Sequence, residues 1–258
     1  MGKAEVEVLD VSDAAAVKRT AERILGRHGR VDVLVNSAGL NNPQRFWRDQ
    51  TVDSWDQVIR INLDGTFYCT QAVIPAMRNR KDGLVINISS WAGKYTSAMV
   101  GAAYNGSKAA VVSLTETINM EECINGIRAC AICPAEVATP ILDRRPVPPS
   151  AEERAKMLQP VDLGNAIRWV AEQPATVCVN ELIISPTWNR LSTSGHGGMR
   201  IVTGSKFWTN QREEETARRV GTSKSRLASS EATSLWLDGG RSDVRSSCWM
   251  HSSRTGSI

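Results

Sequence analysis

The sequence has few of the residues from which metal sites are built. Only three histidines occur in 258 residues, which argues against a histidine-based metal site. Six cysteines are present, but no Cys-x-x-Cys pair lies near a histidine with zinc-like spacing. The nearest approach is Cys130 and Cys133, in a predicted strand whose period of two would point the two side chains to opposite faces. We interpret the cysteines as buried thiols and expect no metal site.

Long apolar runs are also missing. No run approaches the roughly 20 apolar residues that span a bilayer, and no basic start followed by an apolar stretch opens the chain. We therefore expect a soluble, cytoplasmic protein without a membrane partner. The length suffices for one large α/β domain with a substantial core.

The net charge of +4 is confined to one part of the chain. Residues 191–258 contain ten Lys and Arg against six Asp and Glu, so residues 1–190 are neutral. The same segment has fourteen serines and only ten Leu, Ile, Val or Phe, too few for a core. We expect residues 1–190 to form the domain and residues 191–258 a disordered Ser/Gly/Arg-rich tail of aberrant origin. Because its charge is dispersed, nucleic-acid binding is not expected.

The pattern along residues 1–190 alternates between strands and helices. Helical spacing marks residues 13–27, 51–77 (in two parts), 102–124 and 160–172. Short β-branched or apolar runs mark strands at 6–9, 31–35, 84–88, 127–133 and 180–184. Asp13 is a capping candidate for the first helix, and Gly29 follows its end. This order predicts a parallel, doubly wound sheet flanked by helices, in which ligands bind where strands end.

Tyr104 and Lys108 carry the most informative chemistry. They are four residues apart in a predicted helix and would lie on one face. A nearby cation favours phenolate, so we expect Lys108 to lower the pKa of Tyr104. Ser90, at the end of the preceding strand, adds a hydroxyl suited to acid/base work on a carbonyl or alcohol. The spacing alone occurs by chance in many proteins.

Other small polar motifs follow the remaining strands. Asp10-Val11 follows the first strand, Asn36-Ser37-Ala38-Gly39 the second, and Pro134-Ala-x-Val-x-Thr139 the fourth, while Asn62 interrupts the long helix. Together with Ser90, Tyr104 and Lys108, this series over residues 4–190 resembles the short-chain dehydrogenase/reductase family. The resemblance implies a Rossmann-like fold and hydride transfer between NAD or NADP and a small alcohol or ketone.

The resemblance also implies roles for individual residues. Tyr104 would be the general acid or base, Ser90 would bond the substrate oxygen, Lys108 would bond the nicotinamide ribose, and Asn62 would hold a water near Lys108. A simple helix kink is the alternative for Asn62. Cofactor contacts would come from Asp10, Val11, Asn36, Ala38, Gly39, Thr139, Tyr104 and Lys108.

Three further expectations concern surrounding segments. We interpret Ser89, which should face away from Ser90, as a structural hydroxyl. Residues 135–160, rich in proline, are a long loop and a predicted substrate lid. By the resemblance, helices 51–79 and 101–125 would form the surface of a homo-oligomer. Neither the substrate nor the choice between NAD and NADP follows from the sequence.

The family's Gly-rich turn and first two strands have no counterpart in this sequence. The missing turn would supply the backbone donors for the pyrophosphate, so weak or no cofactor binding and impaired activity are expected. The strand at 6–9 would lose its neighbour, and we expect it to pair beside 31–35. The alternative function is a non-catalytic fragment that associates with complete family members.

Overall fold

The computed structural model describes residues 4–193 and the backbone of residues 248–251. Its helices are α1 Ala14–His28, α2 Val52–Ile59, α3 Gly65–Arg80, α4 Ala102–Glu122, α5 Ala151–Ala155, α6 Pro160–Ala171 and α7 Arg190–Thr193. Its strands are β1 Val33–Asn36, β2 Gly83–Ile88, β3 Ile127–Pro134, β4 Glu181–Ile184 and β5 Cys248–His251. No helix among the described residues is long and apolar enough to cross a membrane.

The strands form one sheet in the order β4-β3-β2-β1-β5. β1 to β4 are parallel, and β5 is antiparallel to β1. Four of the predicted strands and the four predicted helices are present, so the α/β prediction is confirmed. The predicted caps of α1 are also found: the Asp13 side chain accepts from Ala16 N at 3.0 Å, and Gly29 adopts φ 76°.

Helices cover both faces of the sheet. Leu34 of β1, Val85 of β2 and Ala129 of β3 share one apolar cluster with α1, α3 and Ile118 of α4. On the other face, Cys130 and neighbouring strand residues pack against α6. Cys133 lies in a separate cluster with Val112 of α4. The two cysteines are therefore buried on opposite faces, as their spacing predicts.

Residues 6–9 do not form the expected strand. Val6 and Val8 are exposed, whereas Leu9 is buried against the core. The acidic side chains of this segment pair with α1: Glu7 lies 3.0 Å from Arg23. The edge of β1 is instead occupied by β5, with Leu34 opposite Met250. The prediction that residues 6–9 pair beside β1 is therefore wrong, because they lie along α1 and another strand takes that edge.

The segment expected to be a tail contributes the described strand β5 and most of α7. The remaining residues of that segment lie outside the described part of the chain.

Residues 135–160 form a covering over the strand ends. They contain a 3-10 helix, Pro140–Arg144, and the helix α5. Val137 pairs with Leu158 in an isolated bridge. Leu142 and Met157 belong to the apolar cluster that includes Tyr104. The segment thus packs directly over Tyr104, where a substrate lid was predicted.

Candidate active site

The long helical segment is interrupted at the predicted site residue Asn62. A π-helical turn, Arg60–Asp64, separates α2 from α3 and contains this fully buried asparagine. Its Oδ1 accepts from Leu40 N at 2.8 Å, and its Nδ2 donates to Leu40 O at 3.0 Å and to Ser107 Oγ at 3.1 Å. The irregular turn and the fixed amide occur together, so the kink and an ordered functional position are not exclusive alternatives.

Tyr104 and Lys108 lie one turn apart near the start of α4 and are buried. The Lys108 Nζ lies 5.7 Å from the centroid of the Tyr104 ring and donates to the carbonyl of Ile88 at 2.8 Å. Burial lowers the pKa of Lys108 to about 8, because the ammonium loses its hydration. The prediction that the two side chains share one helix face next to the end of β2 is confirmed.

The pKa of Tyr104 is shifted upward, whereas a downward shift was expected. Burial raises this pKa to about 12, while neighbouring Ser90 and the charges of Arg145 and Arg45 lower it in part. Lys108 is not among the groups that lower it, so the expected effect of Lys108 is wrong. The phenol is held neutral, which suits a proton donor.

Ser90 and Ser89 have the different surroundings that the strand period predicts. Ser90 Oγ accepts from Ala92 N at 3.2 Å, and Ser90 partly lowers the raised pKa of Tyr104. Ser89 Oγ donates to the backbone carbonyl of Lys108 at 2.7 Å. Ser89 is thus a structural hydroxyl that holds α4 against the end of β2.

Of the predicted cofactor residues, Gly39 lies against Lys108, and Thr139 has an unused hydroxyl. A Cβ placed on Gly39 would sit 3.4 Å from both Lys108 Nζ and Asn62 Oδ1, so a side chain there would fill this space. Thr139 is buried, and its Oγ1 has no hydrogen-bond partner among the described residues. A buried hydroxyl without a partner is costly. These two features fit the polar nicotinamide end of a dinucleotide.

The other predicted cofactor residues have hydrogen bonds or packing contacts within the fold. The side-chain amide of Asn36 makes hydrogen bonds within the fold: its Nδ2 donates to Asn87 Oδ1 at 2.8 Å and to Thr70 Oγ1 at 3.0 Å. Ala38 packs against the main apolar cluster. Asp10 is exposed and accepts from the Ser12 amide at 2.9 Å, while Val11 is buried.

Two arginines at the site were not identified from the sequence. Arg45 and Arg145 line a small cavity beside Tyr104, together with Asn41, Val100, Ile141 and Leu142. Both come from loops separated by about a hundred residues, and no local periodicity marks them. Among the described residues, no cluster of His, Cys, Asp and Glu could hold a metal ion.

Similarity to known proteins shows the family to which the chain belongs. The sequence model described as short chain dehydrogenase matches residues 1–147, more than half of the chain. The chain belongs to this family.

Individual relatives agree with this assignment. The chain is 32% identical over 189 residues to the 3-oxoacyl-(acyl-carrier-protein) reductase FabG of Thermotoga maritima, covering 70% of this chain and 75% of that protein. It is 36% identical over 192 residues to the 2-dehydro-3-deoxy-L-rhamnonate dehydrogenase (NAD(+)) of Sphingomonas sp., covering 74% and 75%. Among solved structures, the closed form of serine dehydrogenase complexed with NADP+ superimposes with a TM-score of 0.64 at 28% identity, covering 76% and 79%.

Proposed function

We propose that the chain is built for hydride transfer between NAD(P)(H) and a carbonyl or alcohol substrate, with Tyr104 as the acid/base residue. The observation that carries this is the buried Tyr104 phenol, whose raised pKa Ser90 partly lowers and which lies on the same helix face as Lys108. A phenol whose pKa is raised to about 12 keeps its proton until a stronger base develops beside it. An alkoxide forming from a carbonyl is such a base.

The site residues divide the work of reduction. A bound nicotinamide cofactor supplies the hydride that forms the new C–H bond. Tyr104 gives its proton to the developing alkoxide, which forms the O–H bond and leaves a tyrosinate. The Ser90 hydroxyl holds the substrate oxygen and stabilises the charge that develops there. Oxidation of an alcohol runs through the same contacts in reverse.

Lys108 has two parts in this proposal. Its Nζ uses one N–H for the Ile88 carbonyl, which leaves two donors for the nicotinamide ribose. As a cation below pH about 8, it also balances the tyrosinate that proton transfer leaves. Asn62, whose amide is fixed against Leu40 and Ser107, orders a water on the path from Lys108 to solvent.

The cofactor contacts are assigned along the carboxyl edge of the sheet. Thr139 and Gly39 receive the nicotinamide, while Asn36 and Ala38 line the path toward the adenosine, near Asp10 and Val11. Neither NAD nor NADP is favoured by these residues. A Gly-rich turn for the pyrophosphate does not occur within residues 1–258, so we propose that this chain binds either dinucleotide weakly, in the millimolar rather than the low-micromolar range.

A second candidate function is association with copies of this chain or with complete family members. Apolar side chains are exposed on the helices that the resemblance assigns to the oligomer surface: Val52, Trp55, Phe67 and Met120. Met120→Glu should then shift the sedimentation coefficient toward the monomer, whereas Val161→Glu on α6, also exposed, should leave it unchanged. A wild-type chain that stays monomeric both alone and when mixed with a complete family member would refute this candidate.

Hydride transfer is tested by following NADPH or NADH consumption at millimolar cofactor with a panel of ketones. Tyr104→Phe keeps the ring but removes the proton, and should lower kcat by about 10²- to 10⁴-fold. Tyr95→Phe, which alters an exposed tyrosine, is the matched control and should retain the wild-type rate. Equal rates in the wild type and in Tyr104→Phe would refute the proposal.

A further inference from the structure

Arg45 is a cation buried in the protein interior, where an unpaired charge destabilises the fold. Its side chain donates from Nε to Asn42 O at 2.8 Å and from Nη2 to Arg144 O at 3.0 Å. Within the described part of the chain, Nη1 has no partner and no carboxylate lies within ion-pair distance of this guanidinium. Only 4% of the residue is exposed. Buried charges are normally paired with an opposite charge, so this one lacks a counterion.

The position of Arg45 is fixed by the start of α4. Gly101 adopts φ +78°, and a Cβ on it would lie 2.0 Å from the carbonyl oxygen of Arg45. The neighbouring Asn41 donates from Nδ2 to Val100 O at 2.8 Å. The loop that follows β1 is therefore held against the turn that leads to Tyr104, and the Arg45 guanidinium is directed to the same region.

A second guanidinium, that of Arg145, reaches the cavity from the covering segment. It forms an ion pair with Glu136, whose carboxylate is fully buried. Glu136 also accepts from Arg190 at 2.7 Å, and Arg190 contacts Glu153 at 3.1 Å. The buried Glu136 carboxylate therefore holds Arg145 at the wall of the cavity.

The cavity joins these cations to the reacting group. Its wall is formed by Arg45, Arg145, Tyr104 and Asn41, together with the apolar residues Val100, Ile141 and Leu142. Its volume is about 20 Å³, enough for a group little larger than a water. A compact planar anion fits this space and the fork of a guanidinium better than a bulkier tetrahedral phosphate does.

We propose that Arg45, assisted by Arg145, is a specificity-determining residue that binds the carboxylate of an acidic substrate, such as a 2-oxo acid or the corresponding 2-hydroxy acid. The inference rests on the proposed function, since it places the carboxylate next to the carbon on which Tyr104 acts. Binding of the carboxylate would supply the counterion that Arg45 lacks and would orient the carbonyl oxygen toward Tyr104 and Ser90.

Ligand binding without cofactor tests this assignment independently of turnover. The probes are 2-oxobutanoate and its neutral analogue pentane-2,3-dione, in which a methyl group replaces the charged oxygen. Titrations of the full chain followed by NMR should show 2-oxobutanoate binding at least about tenfold more tightly than the dione. Equal affinities for the two probes, or no binding of 2-oxobutanoate at millimolar concentration, would overturn the proposal without any variant.

Variants then assign the preference to Arg45. Arg45→Gln retains a donor for the backbone carbonyls and should weaken 2-oxobutanoate binding by about tenfold to a hundredfold while leaving the dione unchanged. Arg48→Gln, on the same loop but with an exposed side chain, is the matched control and should bind as the wild type does. A melting curve and circular dichroism confirm folding. Wild-type affinity in folded Arg45→Gln would overturn the assignment.

The two proposals fail in different ways. Arg45-dependent binding of the acid without Tyr104-dependent turnover would support the carboxylate site and refute hydride transfer. Tyr104-dependent turnover that treats the acid and the dione alike, with Arg45→Gln as active as the wild type, would support hydride transfer and refute the carboxylate site.

Discussion

The carboxyl edge of the central strands and the segment before α1 are held in different ways. Between the end of β1 and the start of α4, buried side chains bond to one another and to backbone, as Asn62 does with Leu40 and Ser107. Before α1, residues 5 and 7 use exposed ion pairs with Arg27 and Arg23. Buried hydrogen-bond networks fix the positions of side chains, whereas exposed ion pairs contribute little to stability. The site geometry therefore depends on the ends of β1 and β2 and on α4 rather than on the first segment.

The largest effect on stability is expected where the loop after β1 meets α4. Gly101→Ala should lower the free energy of unfolding by about 2–4 kcal/mol, because the residue has a positive φ and its Cβ would collide with the Arg45 carbonyl. Urea denaturation measures the loss. Gly26→Ala in α1, where a Cβ meets nothing within 4 Å, is the control and should be neutral or stabilising by up to about 1 kcal/mol. Similar losses of unfolding free energy in Gly101→Ala and Gly26→Ala would contradict the view that the contact of Gly101 with Arg45 matters more.

A pH-dependent effect is expected at Lys108. Because burial depresses its pKa to about 8 from 10.5, the folded state carries the cost of a buried ammonium below pH 8, and this cost disappears as the pH rises toward 10.5. Lys108→Met should therefore be more stable than the wild type at pH 7, by roughly 1–3 kcal/mol, and the gain should shrink by pH 10.

The control for this measurement is Lys18→Met, which alters an exposed lysine of α1. It should show the same difference from the wild type at pH 7 and pH 10. A stability gain of Lys108→Met that is the same at pH 7 and pH 10 would argue against a depressed pKa of Lys108.

Pairing of β5 with β1 should have a smaller, local effect. Met250→Pro removes a ladder amide opposite Leu34 and should accelerate hydrogen exchange of the β1 amides by about tenfold, with no change in β3. Val6→Pro lies in the segment that forms no strand and should leave exchange in β1 unchanged. Faster exchange of the β1 amides in Val6→Pro, with no change in Met250→Pro, would instead indicate that residues 6–9 pair with β1.

The smallest effect is expected from the surface pairs before α1. A hydrogen bond with Arg23 lowers the pKa of Glu7, so its contribution is present near neutral pH and is lost as the pH falls through that lowered value. Glu7→Gln should nevertheless leave the melting temperature at pH 7 close to that of the wild type, because solvent screens the pair. A drop comparable with that of Gly101→Ala would contradict the view that this segment contributes little.

The sequence predicts well whatever rests on local periodicity. The helix of Tyr104 and Lys108, the caps of α1 and the strand that ends at Ser89-Ser90 all follow from spacing within a few residues. The segment 6–9 misleads because alternating Val and Glu is typical of a strand, and only tertiary pairing with α1 decides otherwise.

Features that depend on distant residues could not be predicted in the same way. Arg45 and Arg145 meet across two loops with no pattern of their own. The raised pKa of Tyr104 needs the burial of the phenol under residues 135–160, which the spacing to Lys108 does not show. The strand at residues 248–251 lies in a segment whose composition gave no sign of sheet pairing.

The most direct test of Tyr104-centred hydride transfer uses a cofactor labelled with deuterium at the transferred position. The wild-type chain, with millimolar labelled NADPH or NADH and 2-oxobutanoate or a neutral ketone, should yield an alcohol that carries deuterium on the carbinol carbon. In Tyr104→Phe the same product should form at least about a hundredfold more slowly. Unlabelled product, no product from the wild type with any carbonyl substrate tried, or equal rates in both chains would contradict the account.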